Sequence, residues 1–219
     1  MIFSSIQYLL FLPIVVCLYW RTRGSLRLVL VVLASYFFYI SWLPVYGVLL
    51  FVLTLINWLI GLWLENAHAK NKQARAKALL ALGLFVNLGC LCYYKYTNFF
   101  ITSVLESLNW MRSVYTMTQL AHWEASVVNV ILPLGISFFV FEFVHYLVDV
   151  YKGDKAIKSF MEFAAFASFF PSQIAGPIKR YQDFQLKRQQ PEPWSSTLFF
   201  EAVGLIMRGL FKKFAIVDP

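Results

Sequence analysis

Charge is what this sequence most lacks. Only 14% of its 219 residues are Asp, Glu, Lys or Arg, whereas soluble domains carry about a quarter. With a hydrophobic share of 60%, that deficit excludes an ordinary soluble globule. Acidic side chains are the scarcer kind, 11 against 19 basic, for a formal net charge of +8. A basic excess can mark a nucleic-acid binder, but the bases here sit in short segments between apolar runs and leave no basic face, so nucleic acid is excluded as a partner. Cysteine is sparse, with only Cys17, Cys90 and Cys92, each inside an apolar run. Cys90 and Cys92 fall on nearly opposite faces of a helix, so buried free thiols are expected rather than a disulfide, a metal site or a redox pair. No Gly-Lys phosphate loop, Gly-x-Ser-x-Gly elbow or His-Glu-x-x-His pair occurs, and no internal repeat is evident.

What the chain has is apolar length. Runs over 3–20, 25–43, 45–64, 78–94 and 127–151 are each long enough, or nearly so, for a helix to cross a bilayer. The fold class expected is all-α, a polytopic transmembrane helical bundle forming a single membrane domain over 1–219. The first run has no basic residue before it and no small-residue cleavage site after it, so it reads as a retained span rather than a signal peptide. Bases cluster at 21–27 and at 70–77, separated by two spans and an uncharged turn at 43–45. The positive-inside rule puts both clusters in the cytoplasm and the amino terminus outside. Span four then ends at Tyr94, closed by Lys95 as an interfacial anchor, and 96–126 forms an external, partly amphipathic stretch carrying His122. His68 reads as an inert residue of a solvated loop.

Run 159–177 differs from the others. Bases flank it on both sides (Lys152, Lys155 and Lys158 before, Lys179 and Arg180 after), and Pro171, Gly176 and Pro177 would break a helix inside it. Both flanks on one side of the membrane imply a segment that enters and returns. Non-helical backbone at membrane depth survives only where protein or a wet cavity satisfies it, so a re-entrant element lining a cavity is expected. A polar loop follows, then a last helix over 194–214.

Glu142, His145 and Asp149 are the main candidates for chemistry. Their spacing of three and four residues places them near one helical face. Ionisable groups inside a membrane helix are costly and commonly mark a pathway or site. One reading makes them the polar lining of a buried tunnel, with His145 as an accessory proton carrier. The other has Glu142 and His145 bonding neighbouring helices while Asp149 anchors to Lys152. No metal site is expected from this spacing. Lys179 and Arg180, expected to face the cytoplasm, would attract an anionic donor such as a nucleotide thioester or anchor to lipid head groups. Pro133, Gly135, Pro171, Gly176 and Pro177 either serve the backbone alone or open its polar groups toward a ligand.

Several strings carry a resemblance. Tyr93–Phe100 (YYKYTNFF) is followed by Leu132–Phe139 (LPLGISFF), Tyr146–Gly153 (YLVDVYKG), Phe169–Ile178 (FFPSQIAGPI) with Arg180-Tyr181 and Asp183-Phe184, and Gly209–Lys213 (GLFKK). In this order they resemble the membrane-bound O-acyltransferase family, in the branch containing alginate O-acetyltransferases and D-alanyl-transfer proteins. The resemblance implies an integral membrane enzyme, located in the bacterial inner membrane, that moves an acyl group, usually acetyl, from a cytoplasmic thioester such as acetyl-CoA to a hydroxyl of an extracytoplasmic polysaccharide. It implies no bound cofactor. On the tunnel or donor side it leaves Glu142, His145, Gln173, Lys179 and Arg180 as candidates. Family members are longer, and their catalytic histidine lies in a region that nothing here matches, so no catalytic residue carries over. The chain stops at Asp218-Pro219 without a polar tail. The expectation is therefore an amino-terminal half, truncated or split, inactive alone and served by a carboxy-terminal half or an extracytoplasmic acyltransferase partner. Two alternatives stand beside it: a non-catalytic scaffold or degenerate fragment, and a small transporter or channel.

Overall fold

A computed structural model describes residues 5–41, 43–115, 132–173, 176, 179–189 and 195–217, without the side chains of 6, 111–115, 187–189 and 217. The described residues form helices and turns with no strand: α1 (Ile6–Arg21), α2 (Ser25–Ile40), α3 (Pro44–Ala69), α4 (Gln73–Tyr115), α5 (Ile136–Lys152), α6 (Phe160–Ala167), α7 (Tyr181–Gln189) and α8 (Ser196–Lys212), closed by a π-helical turn at Lys213–Val217. The expected all-α class holds.

Local chemistry sets the helix ends. The Ser5 hydroxyl accepts from the Tyr8 N–H at 3.2 Å and caps α1. Pro44 opens α3 from its first position, where its missing N–H costs nothing. Gly153 ends α5 at φ +115°, a conformation that strongly favours glycine. The solvated loop expected around His68 and the basic cluster at 70–77 is mostly helix, and three residues, 70–72, make the turn between α3 and α4. Asn71 takes φ +55° there, which its short polar side chain tolerates. α4 also runs on through Lys95 to Tyr115, well past the expected end at Tyr94. No glycine or proline interrupts it beyond Gly89.

α3 and the Gln73–Trp110 part of α4 are long and apolar enough to cross a membrane; α1 and α2 are shorter apolar helices. At 1.5 Å per residue the 26-residue α3 is about 39 Å long, against roughly 30 Å of bilayer hydrocarbon.

The main core forms where α3, α4 and α5 meet, around Leu50, Leu64, Phe139, Phe143 and Leu147. Two glycines permit the close approach. A Cβ on Gly61 of α3 would fall within 2.8 Å of the Tyr146 ring, and one on Gly83 of α4 would overlap Leu147. Two buried asparagines in this core satisfy each other. The Asn57 and Asn87 side-chain amides donate to each other's oxygens at 3.1 and 2.7 Å, and each also donates to its own helix, to the carbonyls of Leu53 and Gly83, at 2.8 Å. A second cluster joins α1 and α2 through Tyr8, Phe38 and Phe170. Many large apolar residues instead face outward, including Leu10, Leu33, Val45, Phe85 and Phe99. Such an apolar exterior suits a lipid-facing surface rather than a soluble monomer. Cys17 and Cys92 lie on it, exposed rather than buried, and all three thiols are free.

Candidate functional site

The segment after α5 is built around one irregular stretch, 154–159, pinned from both sides. The Ile157 N–H donates to the Tyr146 hydroxyl at 3.2 Å, and the Trp58 indole N–H donates to the Ile157 carbonyl at 2.9 Å. Lys158 pairs with Glu65 at the surface. His68, expected to be inert, contacts the Tyr151 carbonyl at 2.6 Å through its Nε2 and packs edge-on against the Tyr151 ring, tying the end of α3 to the end of α5.

From there α6 runs for only eight residues, with the Ser159 side chain accepting from the Glu162 N–H at 3.4 Å. Its faces bury Phe163 and Phe166 completely or nearly so. After Ala167 the chain turns through Phe169, Phe170, Pro171, Ser172 and Gln173. The Phe170 N–H donates to the Ser35 hydroxyl of α2 at 3.2 Å, and the Gly176 N–H donates to the Ser172 carbonyl at 3.1 Å. Pro171 has no N–H to give, so the turn closes through its neighbours. Phe170 inserts between α1 and α2, with its ring centroid 5.3 Å from Phe11 and 5.8 Å from Phe38. Pro177 and residues 174–175 lie outside the described residues, as do 127–131 of the fifth expected span and the His122 region.

The next element returns to the core and brings in Lys179. Its ammonium donates to the Phe166 carbonyl at 2.7 Å and sits 3.5 Å from Glu142 Oε1. The rings of Phe169, Phe166 and Phe184 lie 5.0, 5.2 and 5.6 Å from the same nitrogen, within range of cation–π attraction. The Lys179 backbone N–H also points at Glu142 Oε1, at 3.5 Å. Both side chains are buried, with 14% and 6% exposure. Burial pushes the Lys179 ammonium down to about 8, against the opposing pull of the Glu142 carboxylate.

This geometry corrects one sequence expectation. Lys179 and Arg180 do not face outward together: Lys179 turns inward to Glu142, and only Arg180 is exposed. The reason is local, since a carboxylate, a carbonyl and three aromatic faces compensate for the cation's lost water. The Glu142, His145 and Asp149 face is likewise divided. Glu142 is buried and ion-paired, whereas His145 is exposed and Asp149 half-buried. His145 and Asp149 line a small cleft of about 10 Å³ with Asp154, Lys179, Arg180 and Gln182. Beside it the Gln182 amide donates to Asp154 at 2.6 Å. Gln173 is 4% exposed, and among the described residues neither its amide nitrogen nor its oxygen has a hydrogen-bond partner.

Sequence reasoning missed Asn57, Asn87, Ser35 and the phenylalanines around Lys179. An Asn in the middle of an apolar run is a usable signal, and the first two were open to it. Nothing in the sequence pairs Ser35 with Phe170.

Comparison with known proteins places this arrangement. No protein-family model and no solved structure matches the chain. A probable alginate O-acetylase AlgI of Pseudomonas syringae pv. tomato is 37% identical over the full chain, which covers 40% of that protein's length. A peptidoglycan O-acetyltransferase of Helicobacter pylori is 31% identical across 85% of the chain and 38% of its own length. A teichoic acid D-alanyltransferase of Lacticaseibacillus rhamnosus is 28% identical across 67% of the chain. The 219 residues thus span about two-fifths of the length of these relatives. With that similarity running through both the α3–α5 core and the Lys179 turn, the chain belongs to the membrane-bound O-acyltransferase family, in the branch of the alginate O-acetylases.

Proposed function

We propose that this protein forms the membrane-embedded scaffold of an O-acyltransferase that acetylates an extracytoplasmic polysaccharide from a cytoplasmic acyl thioester. The observation that carries the reading is full-chain similarity to relatives named as alginate O-acetylases, with supporting similarity to a peptidoglycan O-acetyltransferase. In this reading α1 to α5 cross the inner membrane with the amino terminus outside. The turn after α6 enters from the cytoplasmic side and returns to it. Its eight-residue helix is about 12 Å long, less than half the hydrocarbon thickness.

In the reaction the acceptor hydroxyl oxygen attacks the thioester carbonyl carbon. The carbon–sulfur bond breaks, the thiol leaves, and a general base takes the hydroxyl proton. The residues of the site position the turn rather than perform these steps. Lys179 and Glu142 are positioning residues that hold the chain after the turn against α5. Gln173 offers a buried donor and acceptor at the turn itself, and Arg180 beside His145 offers positive charge to an anionic donor. None of the described residues at this buried pair is a histidine, and the reading takes the general base to come from outside these 219 residues.

The test is co-expression with the remaining portion of the Pseudomonas syringae relative, in cells that make an acceptor polysaccharide and lack their own acetylase. Base-labile acetate on the polysaccharide is the readout. Acetate from the pair and none from the chain alone is expected. Turnover by the chain alone, abolished by His145→Ala, would make His145 the base. A pair that is stably inserted but transfers nothing would favour a non-catalytic scaffold.

A further inference from the structure

A cleft of about 780 Å³ opens between α1, α2 and the turn after α6, away from the α3–α5 core. Its walls are apolar, with Leu12 and Val15 from α1, Leu28 and Val31 from α2, and Phe170 from the turn. α1 and α2 are joined by a three-residue connection, so Tyr19, Trp20 and Arg27 gather at the closed end of this hairpin. Leu12 lies about 10 Å along α1 from Tyr19. One end of the cleft is therefore aromatic and basic, and the wall at Leu12 and Val15 is hydrocarbon.

Arg27 is held ready at that end. Its Nε donates to the Thr22 carbonyl at 2.7 Å, and its guanidinium lies 5.0 Å from the Tyr19 ring and 5.9 Å from Trp20. Fixing Nε leaves the two terminal nitrogens as a planar fork, the geometry that matches phosphate oxygens. Among the described residues no carboxylate pairs with it. Arg21, the last residue of α1, and Arg23, in the connection, are both exposed nearby in the chain. The cleft's other charged groups are Lys179, already paired with Glu142, and the exposed Asp183. The balance at the aromatic end is positive.

We propose that this cleft is a binding site for an anionic diacyl phospholipid, with its phosphate on Arg27 and one acyl chain along the α1–α2 wall. A nucleotide thioester would leave its many polar groups unpaired against Leu12, Leu28, Val31 and Phe170, whereas an acyl chain fits them. Such a lipid would fill the gap beside Phe170 and brace the turn from behind. The proposal does not depend on acyl transfer, and its test measures binding alone.

The protein, purified in detergent, is titrated with phosphatidylglycerol and, separately, phosphatidylcholine, and bound lipid is counted by native mass spectrometry. One phosphatidylglycerol per chain is expected, with about fivefold preference over phosphatidylcholine, the ratio that about 1 kcal/mol per basic residue supplies. Arg27→Gln should erase the preference while neutral lipid still binds. Val31→Trp, which fills the apolar wall away from Arg27, should remove both lipids. Equal retention of the two lipids by the unaltered protein would overturn the proposal. So would a preference that survives Arg27→Gln, or displacement of phosphatidylglycerol by stoichiometric acetyl-CoA.

Discussion

Removing one member of the Glu142–Lys179 pair should destabilise the protein unequally, depending on which member goes. The Lys179 ammonium has the Phe166 carbonyl at 2.7 Å and three aromatic faces besides Glu142. Glu142 has little beyond Lys179, reached by both the ammonium and the backbone N–H at 3.5 Å. At 3.5 Å the contact is mainly Coulombic rather than a strong hydrogen bond. Lys179→Met leaves a buried carboxylate almost alone, a change worth about 3–5 kcal/mol. Glu142→Gln keeps an oxygen facing Lys179 and leaves the cation its other partners, so about 1–3 kcal/mol is expected. At about 2–4 °C per kcal/mol for a chain of this size, Lys179→Met should lower Tm by roughly 6–20 °C. The double variant Glu142→Leu, Lys179→Met should recover most of that loss, because an apolar pair leaves no charge uncompensated. Thermal denaturation in detergent, followed by size-exclusion of the surviving fraction, measures all three. If both single variants melted with the unaltered protein, or if the double variant equalled the sum of the singles, the pair would not be coupled in the folded state.

Asn57→Leu should cost about 1 kcal/mol by removing the Asn87 side chain's partner on α3, leaving only its bond to Gly83, and Asn57→Leu with Asn87→Leu should lie closer to the unaltered protein in the same melting assay. Gly61→Leu should drive its side chain into Tyr146 and lower the folded yield sharply, while Tyr146→Phe should cost about 1 kcal/mol through the lost bond from Ile157. Burial lowers the Lys179 pKa in the folded state, so the unfolded chain binds more protons between pH 8 and about 10.4, and Lys179's contribution to stability rises with pH across that window. A pH series comparing the unaltered protein with Lys179→Met should isolate that rise; its absence from the difference would contradict the burial. For topology, Ala74→Cys, exposed at the start of α4, should react with an impermeant thiol reagent only after cells are opened, in a background where Cys17, Cys90 and Cys92 are Ser.

Much of the helical plan was legible because apolar length and capping are local. Pro171 and the two basic flanks announced that the α6 segment would not be one long helix. Helix ends were harder: α4 passes Lys95 because a single Lys at a helix surface does not stop a helix, and only a cap or breaker does. The site was legible in its residues but not in its pairings. Three residues advance a helix by about 300°, so His145 sits roughly 60° away from Glu142. That rotation separates the buried side of α5 from its exposed flank. Lys179 meets Glu142 across 37 residues and a broken segment, and no local pattern encodes such a contact. The Asn57–Asn87 pair was recoverable in principle, since both lie equally far from Lys72 at the turn of an α3–α4 hairpin.

The central question is whether these 219 residues can serve inside a working acyltransferase. The measurement is a chimera in which they replace the aligned segment of the Pseudomonas syringae alginate O-acetylase relative, produced in a strain lacking that protein, with polysaccharide-bound acetate as the readout. The account predicts restored acetate, reduced by Lys179→Met in the same chimera. No acetate from a chimera present in the membrane at the relative's normal level would contradict it.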